Sequence, residues 1–240
     1  MTTTTREQVG TSTRQAVLGH LSLHYMPGDE HQARRLLELL GCTLVDNGPS
    51  PGHDGFCSVL VNGSDANYAD NIMFLSAVIP EQAAIESAIR QSSRIGEPGE
   101  SPVARNYSAT MTTNPEAASH IGVRFHNLEE LEHVLADLEV AAAPGGELEG
   151  RIHLVKYPAR PGGDAVASST MAERIAASPA FSGSEAQSFA PYWIQCFVTT
   201  DLCGFGILAF GNTFELDYVF DPFFGEPPSF GRRRSSGEAE

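Results

Sequence analysis

The chain has 240 residues, of which 41% are hydrophobic and 19% charged, a globular composition with enough apolar content for a sizeable core. Its 30 acidic residues outnumber 15 basic ones, a formal charge of −15 that repels phosphate backbones and anionic bilayers and so argues against nucleic-acid and membrane partners. No apolar run approaches the ~20 residues of a membrane helix. Cys42, Cys57, Cys196 and Cys203 show neither a CxxC pair nor a zinc spacing, so a reduced, cytoplasmic protein is the expectation.

Residues 1–15 read as a solvated tail without the apolar segment of a secretory signal. A first unit is expected over residues 16–91. It opens with an alternating strand, LGHLSLHY, which puts Leu21, Leu23 and Tyr25 on one face and His20, Ser22 and His24 on the other. A helix follows, with Ala33, Leu36, Leu37 and Leu40 on one side and Gly41 as its stop. The runs CTLVDN, GFCSVLVNG and DNIMFLSAV then read as strands between Gly/Pro/Asn/Asp turns, and Pro80 to Gln91 as a trailing helix.

Residues 92–117 read as a polar linker. The second unit, over 118–222, opens with ASHIGVRF. Here Ile121, Val123 and Phe125 oppose His120, Gly122, Arg124 and His126. Asn127 is placed to cap the next helix, with Glu130 at the capping-box position and Leu128, Leu131, Leu135 and Leu138 as its stripe. The expected strands are RIHLVKYP, YWIQCFVTT, GFGILAFG and TFELDYVF. In the last of these Phe214, Leu216 and Tyr218 face one way and Glu215 and Asp217 the other. An insertion over 158–191, with a helix from Ala165 to Ala177, has the length of a lid or binding loop. Residues 223–240 form a C-terminal tail.

The two units are an internal repeat: His20 lies over His120, Leu21 over Ile121, Leu23 over Val123 and Tyr25 over Phe125. The expected fold class is α+β, two tandem βαβββ units whose polar faces form a cupped mixed sheet. Such a cup closes either within one chain or across a homodimer.

A tandem βαβββ repeat, a histidine opening the first strand of each copy, and the ending Gly211-Asn212-Thr213-Phe214-Glu215-Leu216 together resemble the vicinal oxygen chelate superfamily. That superfamily includes glyoxalase I, extradiol dioxygenases and bleomycin-binding proteins. The resemblance covers roughly residues 16–79 and 118–222. It implies a divalent metal held by His20, His120 and Glu215, with His24 as an alternative to His20 on the same strand face. Two imidazoles and one carboxylate suit Fe(II), with Mn(II) or Zn(II) also tolerable. A small substrate with neighbouring oxygens would chelate the ion, which polarises it.

Around that set, His153 and Tyr157 are candidates for a proton relay. His24, Arg124, Tyr192 and Asp217 are candidates for substrate contact, and Asp217 also for orienting a histidine. Departures from the closer subfamilies are visible. DNIMFLSAV offers no fourth ligand from the first unit. At the places where extradiol enzymes carry a His, a Tyr and an Asp-Pro, this chain has Phe205, Leu208 and Ala209. The expected function is therefore a metal-dependent enzyme of dioxygenase type. A metal-free module that sequesters a small molecule and a glyoxalase- or epimerase-type lyase or isomerase are the alternatives. His31 and His133 read as surface groups, His126 as a surface or capping group, His53 as solvated and the Phe223-Phe224 stretch as packing.

Overall fold

The structure, a computed structural model, describes residues 19–48, 56–63, 72–182, 184 and 187–220. Both tails, His53 and the Phe223-Phe224 stretch lie outside those residues. In chain order the elements are β1 (His20–Tyr25), α1 (Glu30–Leu39), β2 (Thr43–Asp46), β3 (Cys57–Leu60), β4 (Ile72–Ala77), α2 (Pro80–Ser93), α3 (Pro102–Thr113), a 3-10 turn (Pro115–Ala117), β5 (His120–Arg124), α4 (Leu128–Ala142), β6 (Ile152–Tyr157), α5 (Ala165–Ala176), β7 (Trp193–Thr200) and β8 (Asn212–Val219).

The protein is α+β, with two four-stranded mixed sheets ordered β1-β4-β3-β2 and β5-β8-β7-β6. In each sheet the first strand pairs parallel with the last, and the other pairings are antiparallel. Parallel neighbours need a crossover, and a helix occupies the start of each one: α1 after β1 and α4 after β5. α4 begins where Asn127 Oδ1 accepts the Glu130 N–H at 2.7 Å and buries Leu128, Leu131, Leu135 and Leu138. α1 ends as Gly41 turns to a φ of +86°, a conformation that costs glycine least.

The apolar faces meet as read from the alternation. Leu23, Leu36, Leu37 and Leu75 of the first unit share one core with Val123, Leu131, Leu135, Cys196, Phe214 and Leu216 of the second. Each fully buried Leu or Phe side chain contributes roughly 1.5–3 kcal/mol. The four cysteines are buried and unpaired, and burial pushes the Cys42 and Cys203 thiols up to about 12, so they behave as small apolar side chains. Among the described residues, no helix is long and apolar enough to cross a membrane.

Two segments differ from the expectation. The supposed linker contains α3, which starts with Pro102 in its first turn. It is anchored by buried Ala104 and Met111 and by Tyr107 meeting the Phe210 ring edge-on at 5.6 Å. GFGILAFG forms no strand. Gly206 and Gly211 stand at φ +76° and +81°, which turns the chain back on itself, and the backbone donors of the loop are captured elsewhere. Each sheet consequently takes three strands after its helix.

That loop, Asp201 to Gly211, is the joint between the units. Gly204 exchanges two backbone hydrogen bonds with His24, at 2.8 and 3.1 Å. Gln82 Nε2 donates to the Gly206 carbonyl at 2.9 Å. Arg90 and Arg151 both reach Asp201, and Arg151 also pairs with Asp29 at 3.0 Å. At the centre, the fully buried Glu86 carboxylate of α2 accepts the Leu208 and Ala209 N–H groups, each at 2.8 Å.

Removing one partner of a buried, charge-assisted pair leaves the other desolvated and unsatisfied. Glu86→Ala is therefore expected to lower the unfolding free energy by about 3 kcal/mol. Glu86→Gln, which keeps one acceptor, should cost about half of that. Urea denaturation followed by circular dichroism checks both; a loss for Glu86→Ala within experimental error of zero contradicts the assigned role.

Candidate metal centre

In the second sheet, the register aligns the polar face in rows. His120 pairs with Thr213, Gly122 with Glu215 and Arg124 with Asp217, while Phe197 and Gln195 of β7 lie beyond Glu215 and Asp217. Side chains of residues two apart share a face, so His120 and Glu215 lean together. His120 Nε2 stands 2.9 Å from Glu215 Oε2. His120 Nδ1 lies 2.9 Å from the Ala118 carbonyl. A carbonyl only accepts, so Nδ1 donates to it, and Nε2 is the nitrogen that faces Glu215.

Glu116, from the 3-10 turn, completes the group. One ligand atom each from Glu116, His120 and Glu215 lies within 4.8 Å of the others. Gln195 ties the carboxylates together, its Nε2 donating to Glu215 Oε1 at 2.7 Å and Glu116 Oε2 at 3.3 Å. Its Oε1 accepts the Phe189 N–H at 2.9 Å, joining the insertion to the site. Phe197, Tyr157 and Phe189 pack ring against ring beside His120.

Asp217 is the third carboxyl group of this face. It is buried, and its Oδ1 has no hydrogen-bond partner. Desolvation, then the neighbouring Glu215 charge, raise its pKa from 3.8 to about 8, with Arg124 acting in the opposite sense. The group of Glu116, His120 and Glu215 thus combines an imidazole oriented by the Ala118 carbonyl, two convergent carboxylates and an orphaned buried oxygen beside them. This donor set fits a divalent cation.

His20 is not in this group. It is exposed on β1, and its ring lies 5.2 Å from Phe74. Ser22 pairs with Phe74 as Gly122 pairs with Glu215, so Phe74 holds in the first unit the place of the Glu215 carboxylate. His24 Nδ1 instead contacts Ser76 Oγ at 3.2 Å. The expected pairing of His20 with His120 and Glu215 is replaced by Glu116, a residue from outside the repeat.

The remaining candidates separate. His153 is exposed on β6, the strand farthest from β5, roughly 14 Å away at three inter-strand spacings. Tyr157 stands nearer, opposite Gln195, its phenol pushed up by burial. Tyr192, at φ +64°, spends its hydroxyl on Asp164 at the start of α5, accepting the Asp164 N–H at 2.8 Å. It holds the insertion rather than facing the site. Arg124 is exposed and stacks over Trp193 at 4.6 Å. The insertion reaches the site through Phe189, while the open groove lined by Asp164, Thr170, Met171, Tyr218 and Phe220 lies against the opposite, helix-bearing face of β8.

Glu116 and Gln195 escape a pattern-based reading. Gln195 left one trace, a lone amide in the otherwise apolar start of YWIQCF. Glu116 left none, because its position depends on how the turn docks.

The raised pKa of Asp217 sets a pH dependence. The folded group holds its proton where the unfolded one has lost it, so stability falls as pH rises between 3.8 and about 8. In metal-free protein, Asp217→Asn is expected to flatten that fall. Urea midpoints measured across the range decide it; parallel curves for both proteins contradict the assignment.

No family model matches the chain, and no curated protein or solved structure matches it either.

Proposed function

We propose that this protein is a divalent-metal enzyme of the vicinal oxygen chelate type, acting on a small oxygen-bearing molecule at Glu116, His120 and Glu215. The observation that carries the reading is the convergence of those three ligand atoms within 4.8 Å on a face that already crowds another buried carboxyl group against them. The two equal βαβββ topologies, with polar faces turned away from the helices, support the cupped arrangement of that superfamily. The substrate enters the cup formed by the polar faces, and Phe189 of the insertion covers part of it.

Each side chain has a distinct part. His120 keeps its proton on the Ala118 side and offers Nε2 as a ligand. Gln195 holds Glu215 and Glu116 by one oxygen each, which leaves their other oxygens free to converge. Asp217, protonated near neutral pH, stores a proton within reach of Glu215. Tyr157 stands on the same face as a candidate donor to a substrate oxygen. A bound ion would act as a Lewis acid on a chelating substrate.

One imidazole and two carboxylates accommodate Fe(II), Mn(II) and Zn(II). The case for Fe(II) in particular leaned on a second histidine, and His20 stands apart. Dioxygenase chemistry and a lyase or isomerase reaction are therefore carried forward together, to be separated by oxygen uptake with a panel of catechols.

A second reading has its own support. The His120–Glu215 contact and the Gln195 hydrogen bonds satisfy one another without an ion, as a metal-free ligand-sequestering module would require. Metal titration distinguishes the two. The enzyme reading expects one Mn(II), Fe(II) or Zn(II) per chain. Affinity should fall by at least about tenfold in Glu116→Gln and further in His120→Ala or Glu215→Gln, and be unchanged in His20→Ala. Protein that carries no metal and takes up none of the three supports the sequestering module instead.

A further inference from the structure

Beside the candidate centre, β5 has a gap. Gly122 is exposed, with His120 before it and Arg124 after it on the same face. Glu215 lies opposite Gly122 and Asp217 one step along. A Cβ built on Gly122 would meet nothing closer than Asp217 Oδ2 at 3.9 Å, so space rather than packing surrounds this residue. The gap is bounded by the candidate ligands at one end and a guanidinium at the other. From His120 to Arg124 the strand runs roughly 13 Å, the length of a small organic acid plus the reach of the side chains.

Arg124 differs from most of the basic groups here. Arg34, Arg35, Arg90, Arg151 and Arg174 are each committed to carboxylates. Arg124 forms no ion pair among the described residues. It is instead laid over the Trp193 ring, which holds the guanidinium plane while leaving its N–H edge available. A planar fork of donors at that edge matches a carboxylate or a phosphate.

We infer that the niche over Gly122 is the substrate subsite and that Arg124 selects substrates carrying an anionic group, a carboxylate or phosphate, at the end remote from the chelating oxygens. The inference rests on the metal-centre reading for the orientation of the ligand, and on the strand geometry for the niche itself.

Three probes share one chelating head: acetohydroxamate, succinate monohydroxamate and 3-phosphonopropionohydroxamate. Mn(II)-loaded protein is titrated with each, followed by water-proton relaxation. The two anionic probes are expected to bind about tenfold tighter than acetohydroxamate, the worth of a charge-assisted pair. Which of the two is tighter identifies the anion. In Arg124→Gln that preference should fall to about one, and Arg124→Lys should restore only part of it. Gly122→Leu should weaken all three probes. Gly122→Ala, whose added Cβ has only an ordinary contact to meet, should weaken them less and serves as the variant secure in folding.

Equal affinities for the three probes in the unaltered protein, or a preference that survives Arg124→Gln, overturns the assignment. A second arm uses metal-free protein. Succinate or inorganic phosphate should move the Gly122 amide resonance, and that movement should vanish in Arg124→Gln. A silent Gly122 resonance overturns the niche whether or not Mn(II) binds. Failure to bind Mn(II), with the Gly122 response intact, removes the metal reading and leaves the anion subsite standing.

Discussion

The parallel pairing of the first strand of each sheet with its last is the constraint from which the rest follows. It brings β5 and β8, far apart in sequence, into a register in which Gly122 faces Glu215. Their side chains then project to the side that α4 does not cover. A slip of one residue would turn Glu215 and Asp217 into the leucine-filled core and Phe214 and Leu216 out of it, at a cost of several kilocalories per mole for each buried charge alone. Register, and therefore the site, is fixed by the apolar face rather than by the polar groups. Those groups ride on a scaffold whose stability they tend to reduce.

The same register in the first sheet gives a different result. β1 and β4 repeat the geometry of β5 and β8 strand for strand, yet Phe74 stands at the carboxylate position and stacks against Phe56 at 5.1 Å. His20 is left exposed against an aromatic ring. The duplication is structural in both copies, and among the described residues the acidic cluster forms in one. The first unit contributes by other means: His24 and Glu86 hold the loop that leads into β8. Asn212 belongs to the same device. Its side chain fills the space a Cβ on Gly204 would need, 2.0 Å away, and accepts the Phe205 N–H at 3.1 Å. The Gly-Asn pair that carried the family resemblance works here as a loop anchor three residues ahead of Glu215.

These contrasts explain what was legible beforehand. Alternation reported the faces of β1, β5 and β8 correctly, since period-two burial depends only on the strand and its core. The helices over Pro80, Asn127 and Ala165 were legible from Pro, cap and stripe. GFGILAFG alternates too, but two of its glycines adopt positive φ, and its donors bind a glutamate more than a hundred residues away; local pattern holds no record of either. Glu116 lies in a turn whose docking is tertiary, and His20 was placed in the site by symmetry. Symmetry of backbone is not symmetry of chemistry: one phenylalanine in β4 was enough to separate them.

The energetics of the acidic face sharpen what it is for. Burial and the neighbouring Glu215 both oppose charge on Asp217, and three features stand around these carboxyl groups: a proton retained on Asp217, the Gln195 amide shared between Glu215 and Glu116, and the His120 ring 2.9 Å from Glu215. Neither Gln195 nor His120 reaches Asp217 Oδ1, which has no hydrogen-bond partner among the described residues. A purely structural polar network gains most when every member is satisfied, and substituting apolar residues here would stabilise the sheet. An arrangement that crowds carboxyl groups, orients them through their outer oxygens and leaves a buried oxygen free is one that a bound divalent cation would satisfy. Arg124, the basic residue that β5 places on that face, is laid away over Trp193, and what it leaves is room.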